Sequence, residues 1–274
     1  MNLIEIPKRF PLQRKLSRTQ HAVTIAISLG SVILLWHFTT QLWHLPPFIL
    51  PSPLLVWQRF LQALLDGSLV RHSAYTLLEV ICGLTIGVIT ATLLGYILAK
   101  SYWFERVLSP YIVASQSIPI VAIAPLLVIW FGPGISSKIL ICALIVFFPV
   151  LVNTIVGLRS VPEELSDLMR SLQANRWQTI RYLEAPAALP VFLGGLRIGA
   201  TLSVIGAVVG EFVGADRGLG FLVNVARGKY DTPLVFVAVF TLIVMALLLY
   251  TSVFLIEKRL LTWQQRQEEI QLIP

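Results

Sequence analysis

The chain has 274 residues, of which 56% are hydrophobic and 13% charged, with a formal net charge of +7. The apolar share is well above, and the charged share about half, that of an ordinary soluble domain, and the charges cluster between long uncharged stretches that a globular surface could not tolerate. This excludes a soluble enzyme domain, and with no basic patch interleaved with aromatics on a polar face it also excludes nucleic acid as a partner; the surplus Lys and Arg are read as membrane topology.

The N-terminal residues 1–21, with Lys8, Arg9, Arg14, Lys15 and Arg18, read as a cytoplasmic segment. The apolar run that follows, residues 22–43, is too long for a signal-peptide core. No small-x-small site separates it from the proline-rich stretch before Pro53, so a retained first span is expected. A span needs about 20 mostly apolar residues, and five more candidates follow at about 74–99, 111–131, 138–159, 188–213 and 231–257. The expectation is an all-α membrane protein with six transmembrane helices over residues 22–256 and a cytoplasmic tail at 257–274.

Alternating the span ends places fourteen Lys and Arg on one side and six on the other, namely Arg59, Arg71, Lys138, Arg217, Arg227 and Lys229. The positive-inside rule then puts both termini in the cytoplasm. Between the fourth and fifth spans lies the longest cytoplasmic loop, residues 159–187. Leu165, Leu168, Met169, Leu172, Ile180 and Leu183 recur there at spacings of three and four, the pattern of short amphipathic helices beneath the membrane. A loop that folds usually docks onto something.

Within the third span, Pro119 and Pro125 follow Gln116 and Ser117. Proline removes a backbone donor and frees carbonyls that lipid cannot satisfy, so this helix belongs in the bundle interior. Two readings stay open, a packing kink and a broken, path-lining helix whose Gln116 and Ser117 meet solute. Ionisable residues inside spans are costly and face protein or a cavity; the candidates are Glu79, Arg197 and Glu211. Glu79 is placed close enough to the outer face to reach water. Arg197 and Glu211 are about 21 Å apart along one helix and cannot pair with each other. Cys82 and Cys142 read as small buried hydrophobes, and GADRGLG at 214–220 as a turn at the outer surface. The pattern G-L-x-I-G occurs at 83–87 and 195–199, which is too short to establish a repeat.

Catalytic motifs are absent: there is no G-x-x-x-x-G-K-[ST], G-x-S-x-G or H-E-x-x-H, and the four histidines lack ligand spacing. An intramembrane enzyme would need a nucleophile or metal cluster at membrane depth. A stand-alone secondary transporter would show paired repeats and midplane acids. The chain is therefore expected to have no catalytic residue and no bound metal or cofactor.

The cytoplasmic loop resembles the coupling loop of binding-protein-dependent permeases of ATP-binding-cassette (ABC) importers, with the pattern E-A-A-x3-G-x9-I-x-L-P. Aligned on the final proline, that pattern falls on Asp167, Leu168, Met169, Gln173, Leu183, Ala185 and Pro186. Only the proline is kept outright, and Gln173 replaces the glycine that permits the turn between two short helices. Longer blocks look like the nitrate, sulfonate and taurine branch: LPSPLLVWQRF at 50–60, SIPIVAIAPLLVIWFGPG at 117–134, FFPVLVNTIVGLRSVPEEL at 147–165, LPVFLGGLRIGA at 189–200 and GEFVGADRGLG at 210–220. SQSIPI and SVIGAVVGEFVG are most similar to the sub-branch importing thiamin-precursor pyrimidines or riboflavin.

The resemblance implies a type I ABC importer permease in the bacterial inner membrane. It would pair with a second permease chain as a homodimer, dock a cytoplasmic ATPase dimer that uses the ATP, and receive solute from an extracytoplasmic binding protein. Asp167, Leu168, Leu172, Gln173, Trp177 and Pro186 are the expected ATPase-coupling residues, with Leu172 and Trp177 as anchors. Gln116, Ser117, Pro119, Pro125, Arg197 and Glu211 are expected on the translocation path. The expected solute is riboflavin or a thiamin pyrimidine, with sulfonate, taurine, nitrate or bicarbonate as the alternatives.

Overall fold

A computed structural model of the protein describes residues 18–43 and 46–262. Lys8, Arg9, Arg14, Lys15 and Arg266, and with them most of the expected cytoplasmic segments, lie outside the described residues. All regular structure in the described residues is helical. In chain order the helices are α1 (Arg18–Leu42), α2 (Pro53–Leu65), α3 (Ser68–Lys100), α4 (Tyr102–Gln116), α5 (Ile120–Phe131), α6 (Ile135–Arg159), α7 (Glu163–Ser171), α8 (Arg176–Thr179), α9 (Ala185–Gly214), α10 (Leu219–Gly228) and α11 (Thr232–Leu260). A π-helical turn, Ile180–Glu184, joins α8 to α9.

Four helices are continuous spans by length and composition: α3, α6, α11 and the run Arg176–Gly214 that contains α9. The pair α4 and α5 is together long and apolar enough for a fifth but is sharply bent at its middle, and α1 adds the shorter apolar stretch Ala26–Leu42. Of the two readings left open for the third span over 111–131, a kink and a break, the chain shows the break. Its chain bends by 96° between α4 and α5, because Pro119, with no N–H to donate, sits as the N-cap of α5 in extended backbone instead of continuing α4. Pro125 is carried inside α5.

At the centre α6 is gripped between α3 and α9, and small residues permit the close approach. A Cβ on Gly87 would come within 2.7 Å of the Ala143 carbonyl on α6, and one on Gly206 of α9 within 2.8 Å of the Cys142 Cα. Without a hydrophobic drive between helices in lipid, such backbone proximity supplies the packing. The two G-L-x-I-G copies serve this purpose: Gly83 and Gly87 face Cys142 and Ala143, and Gly195 and Gly199 face Asn153 and Val146. Cys142 is buried in that seam, whereas Cys82 is only half-buried, a correction to its expected burial.

Around this core, α2 lies outside the four long spans. Ser52 caps it, Arg59 pairs with Asp231 at the start of α11 at 2.8 Å, and Trp36 Nε1 of α1 donates to the Pro51 carbonyl at 3.0 Å. The Trp36 ring stacks on Phe236 of α11 at 5.5 Å. A recess of about 620 Å3 lies here between α1, α2, α3 and α11, with Ser73 and Thr241 the only hydroxyl residues in its lining. It has too few polar groups to orient a polar solute.

Candidate translocation path and coupling segment

The segment between α6 and α9 folds as two short helices. Glu163 and Glu164 sit in the first turn of α7 and Arg170 in its last, each charge matched to its end of the helix dipole. The end of α7 is a left-handed cap. Gln173 has φ of 55°, its N–H donates to the Arg170 carbonyl at 2.9 Å, and the Ala174 N–H donates to the Met169 carbonyl at 3.0 Å. This is the Schellman arrangement, usually closed by glycine at the position Gln173 holds. The turn expected of the family pattern thus forms with a residue that pays for it in backbone strain.

Asn175 and Gln178 then form a reciprocal capping box that starts α8. Leu165, Leu168 and Leu172 are exposed, as is Trp177 at 67%. They form an exposed apolar surface on these two short helices. Asp167 is exposed and pairs only with Arg170 at 3.1 Å, and Pro186 lies in the first turn of α9, within the lead-in to the span. Asp167, Leu168, Leu172, Gln173 and Trp177 are all exposed along α7, its cap and α8, and Pro186 follows in α9.

The expected path residues are not gathered in this way. Gln116 ends α4 and Ser117 caps it, both exposed beside Pro119 at the break. Arg197 faces α11, where its guanidinium pairs with Glu257 at 3.0 Å and lies over the Tyr250 and Phe254 rings. Glu211 is 1% exposed near the far end of α9. It accepts hydrogen bonds from Thr76 Oγ1 at 2.7 Å and from the Gly220 N–H.

That last contact opens onto a cluster the sequence reading missed. Thr76 Oγ1 also accepts the Leu219 N–H at 2.8 Å, and His72 Nδ1 accepts the Gly218 N–H at 3.0 Å, so the start of α10 is held against α3. Gly218, at φ of 107°, lies so close to the Glu211 carboxyl that no side chain fits. The expected surface turn at 214–220 is corrected: its end is a buried lock, since the first N–H groups of α10 need acceptors that lipid cannot provide. Glu79, expected within reach of water, is 4% exposed beside Glu211. Lys138, expected at the outer end of the fourth span, is buried in α6 and donates to the Pro133 and Gly214 carbonyls, the latter at 2.5 Å. A recess of about 240 Å3 lined by Tyr75, Glu79, Lys138, Asp216 and Arg217 adjoins it. The spacing signal was present in Glu79 and Lys138 as charges flanking apolar runs, but only packing brings them to one recess.

Residues 83–262 match the family described as the binding-protein-dependent transport system inner membrane component. The chain belongs to that family. This permease is 48% identical, over 93% of its length and 95% of the relative's, to the riboflavin transport system permease protein of Chloroflexus aurantiacus. It is 33% identical, over 92% of its length and all of the relative's, to the formylaminopyrimidine transport permease protein of Halalkalibacterium halodurans. Among solved structures, an inward-facing MetNI methionine ABC transporter chain superimposes with a TM-score of 0.64 at 19% identity, covering 72% of this permease and 97% of that chain. The fold is that of a type I ABC importer permease, and the protein is a multi-pass inner-membrane ABC transport permease of the branch that includes riboflavin, thiamin-precursor, sulfonate and taurine permeases.

Proposed function

We propose that this permease pairs with a second copy of itself to form the path of an ATP-driven riboflavin importer. The observation that carries the solute is the 48% identity, nearly end to end, with a riboflavin permease. The break at 117–119 supports the path reading, because it presents Gln116 and Ser117 together with backbone groups freed by Pro119, which suit a hydrogen-bonding heterocycle. An extracytoplasmic binding protein delivers the solute, in keeping with the family's description. A separate ATPase dimer docks on α7 and α8 on the cytoplasmic side and hydrolyses the ATP, and both termini of the permease are cytoplasmic. The permease itself carries neither cofactor nor catalytic group. Arg197 and Glu211 support the path by fixing α9 against its neighbours.

The test is uptake of labelled riboflavin by a riboflavin-auxotrophic bacterium carrying the permease with its ATPase and binding protein. Saturable, ATP-dependent uptake that excess thiamin pyrimidine does not suppress is expected. Uptake of a formylaminopyrimidine in its place would favour the second reading, which the likeness to the Halalkalibacterium permease motivates. Growth on a sulfonate with no vitamin uptake refutes both.

A further inference from the structure

Two ion pairs bracket the segment between α6 and α9. At its start Arg159, the last residue of α6, grips Glu105 of α4 through two parallel contacts, Nη1 to Oε1 at 2.7 Å and Nη2 to Oε2 at 2.5 Å. At its end Glu184, the last residue of the π-helical turn, accepts from Lys100 Nζ at 2.5 Å. Lys100 is the last residue of α3, and Ser101 alone separates it from α4. Both ends of the segment are therefore fastened to one corner of the bundle. Each helix-borne charge also suits its position, Lys100 and Arg159 in last turns and Glu105 in a first turn.

An isolated exposed ion pair contributes little, but these two differ from that case. The Glu184 side chain is 8% exposed, the Arg159 contact is a bidentate fork, and the pairs act on the same short connection. By contrast α7 and α8 make no ion pair to the spans among the described residues. A force applied to them reaches the bundle through the two ends of the segment. From the clamped corner α4, with Pro110 inside it, runs as one helix to Gln116 and the break before α5.

We infer that Glu105 and Glu184 are positioning residues that clamp the α3–α4 corner to both ends of the coupling segment, so that movement of α7 and α8 is passed to α4 and the broken span. This rests on the reading that α7 and α8 dock an ATPase.

The test uses the full permease–ATPase complex in proteoliposomes, with Gln116→Cys as a reporter at the far end of α4 in a Cys82→Ala, Cys142→Ala background. The rate of maleimide labelling is measured with and without ATP plus orthovanadate. The parent is expected to change its labelling rate with nucleotide. E105Q/E184Q is expected to retain the ATPase on co-purification while that nucleotide-dependent change shrinks about fivefold or more, as for the loss of a typical coupling free energy. Lys100→Glu alone should behave similarly, and adding Glu184→Lys should restore most of the response, a rescue that simple misfolding would not allow. An unchanged response in E105Q/E184Q with the ATPase bound overturns the clamp and leaves the docking reading intact. Loss of the ATPase from that variant alone, or a parent that binds ATPase with no response at position 116, also overturns the clamp. A parent that never binds the ATPase overturns both readings.

Discussion

Replacing Trp177 by alanine removes the largest exposed apolar side chain of α8 without disturbing the helix. The capping box is made by Asn175 and Gln178, and alanine is at least as good a helix former as tryptophan. The indole is 67% exposed, so docking could cover about two-thirds of its roughly 250 Å2, about 170 Å2. At about 25 cal/mol per Å2 this gives a ceiling of about 4 kcal/mol, while the floor for an aromatic anchor at an interface is about 2 kcal/mol. Trp177→Ala should then weaken ATPase binding between about thirtyfold and about a thousandfold. The permease should still insert and keep its thermal stability, since the ring has little to lose within its own chain. Co-purification of the tagged permease with its ATPase, titrated in detergent and followed by stimulated ATP hydrolysis, measures the effect. Trp177→Phe should fall between the two. Parent-like binding and hydrolysis in Trp177→Ala would remove the indole from the interface and with it the assignment of α8 as the anchor.

Three further outcomes follow from the packing. Gln173→Gly should raise the stability of the segment between α6 and α9 by about 1 kcal/mol, because it relieves a left-handed non-glycine residue, whereas Gln173→Ile should lower it; limited proteolysis within 160–184 reads both. Gly87→Leu should lower the midpoint of thermal unfolding by an overpacking cost of about 1–3 kcal/mol, while Gly30→Leu, with nothing within 4 Å of its added Cβ, should not; a lowered midpoint for both would show that bulk alone is the cause. Glu211→Leu leaves the Gly220 N–H without its acceptor, while the Thr76 hydroxyl keeps the His72 carbonyl; the stranded group costs about 1–3 kcal/mol and should expose the start of α10 to proteolysis, with Glu211→Gln milder, and resistance equal to the parent would discount the lock.

Much of the local structure between α6 and α9 was legible in the sequence because its signals are local. Apolar residues at three- and four-residue spacing, a cap-forming Asn175 and a terminal Pro186 specify short helices whatever surrounds them. The position of Gln173 in the family pattern even located the left-handed residue, since that conformation is a property of the α7 C-terminus itself. Span positions were legible for the same reason: a run of about 20 apolar residues has nowhere to reside but the bilayer. Composition and length thus determined the class of the protein and its membrane helices, and residue spacing determined the two short helices between α6 and α9.

What tertiary structure alone decided is where the charges go. In sequence, Lys138 is a residue between two apolar runs and Glu79 a charge near a span end; packing buries both next to Glu211, because carbonyls at the ends of α5 and α9 and the N–H groups of α10 need partners where there is no water. Arg197 illustrates the same dependence, since its acid is Glu257, sixty residues on and meaningful only once α9 lies against α11. The 96° bend was half visible: prolines mark where a helix is weak, but a weak helix can kink slightly or break outright. Hydrophobicity and helix caps are read from neighbours in the chain, whereas satisfaction of a buried polar group is a pairing between distant segments, and only the folded bundle brings those segments within hydrogen-bonding distance.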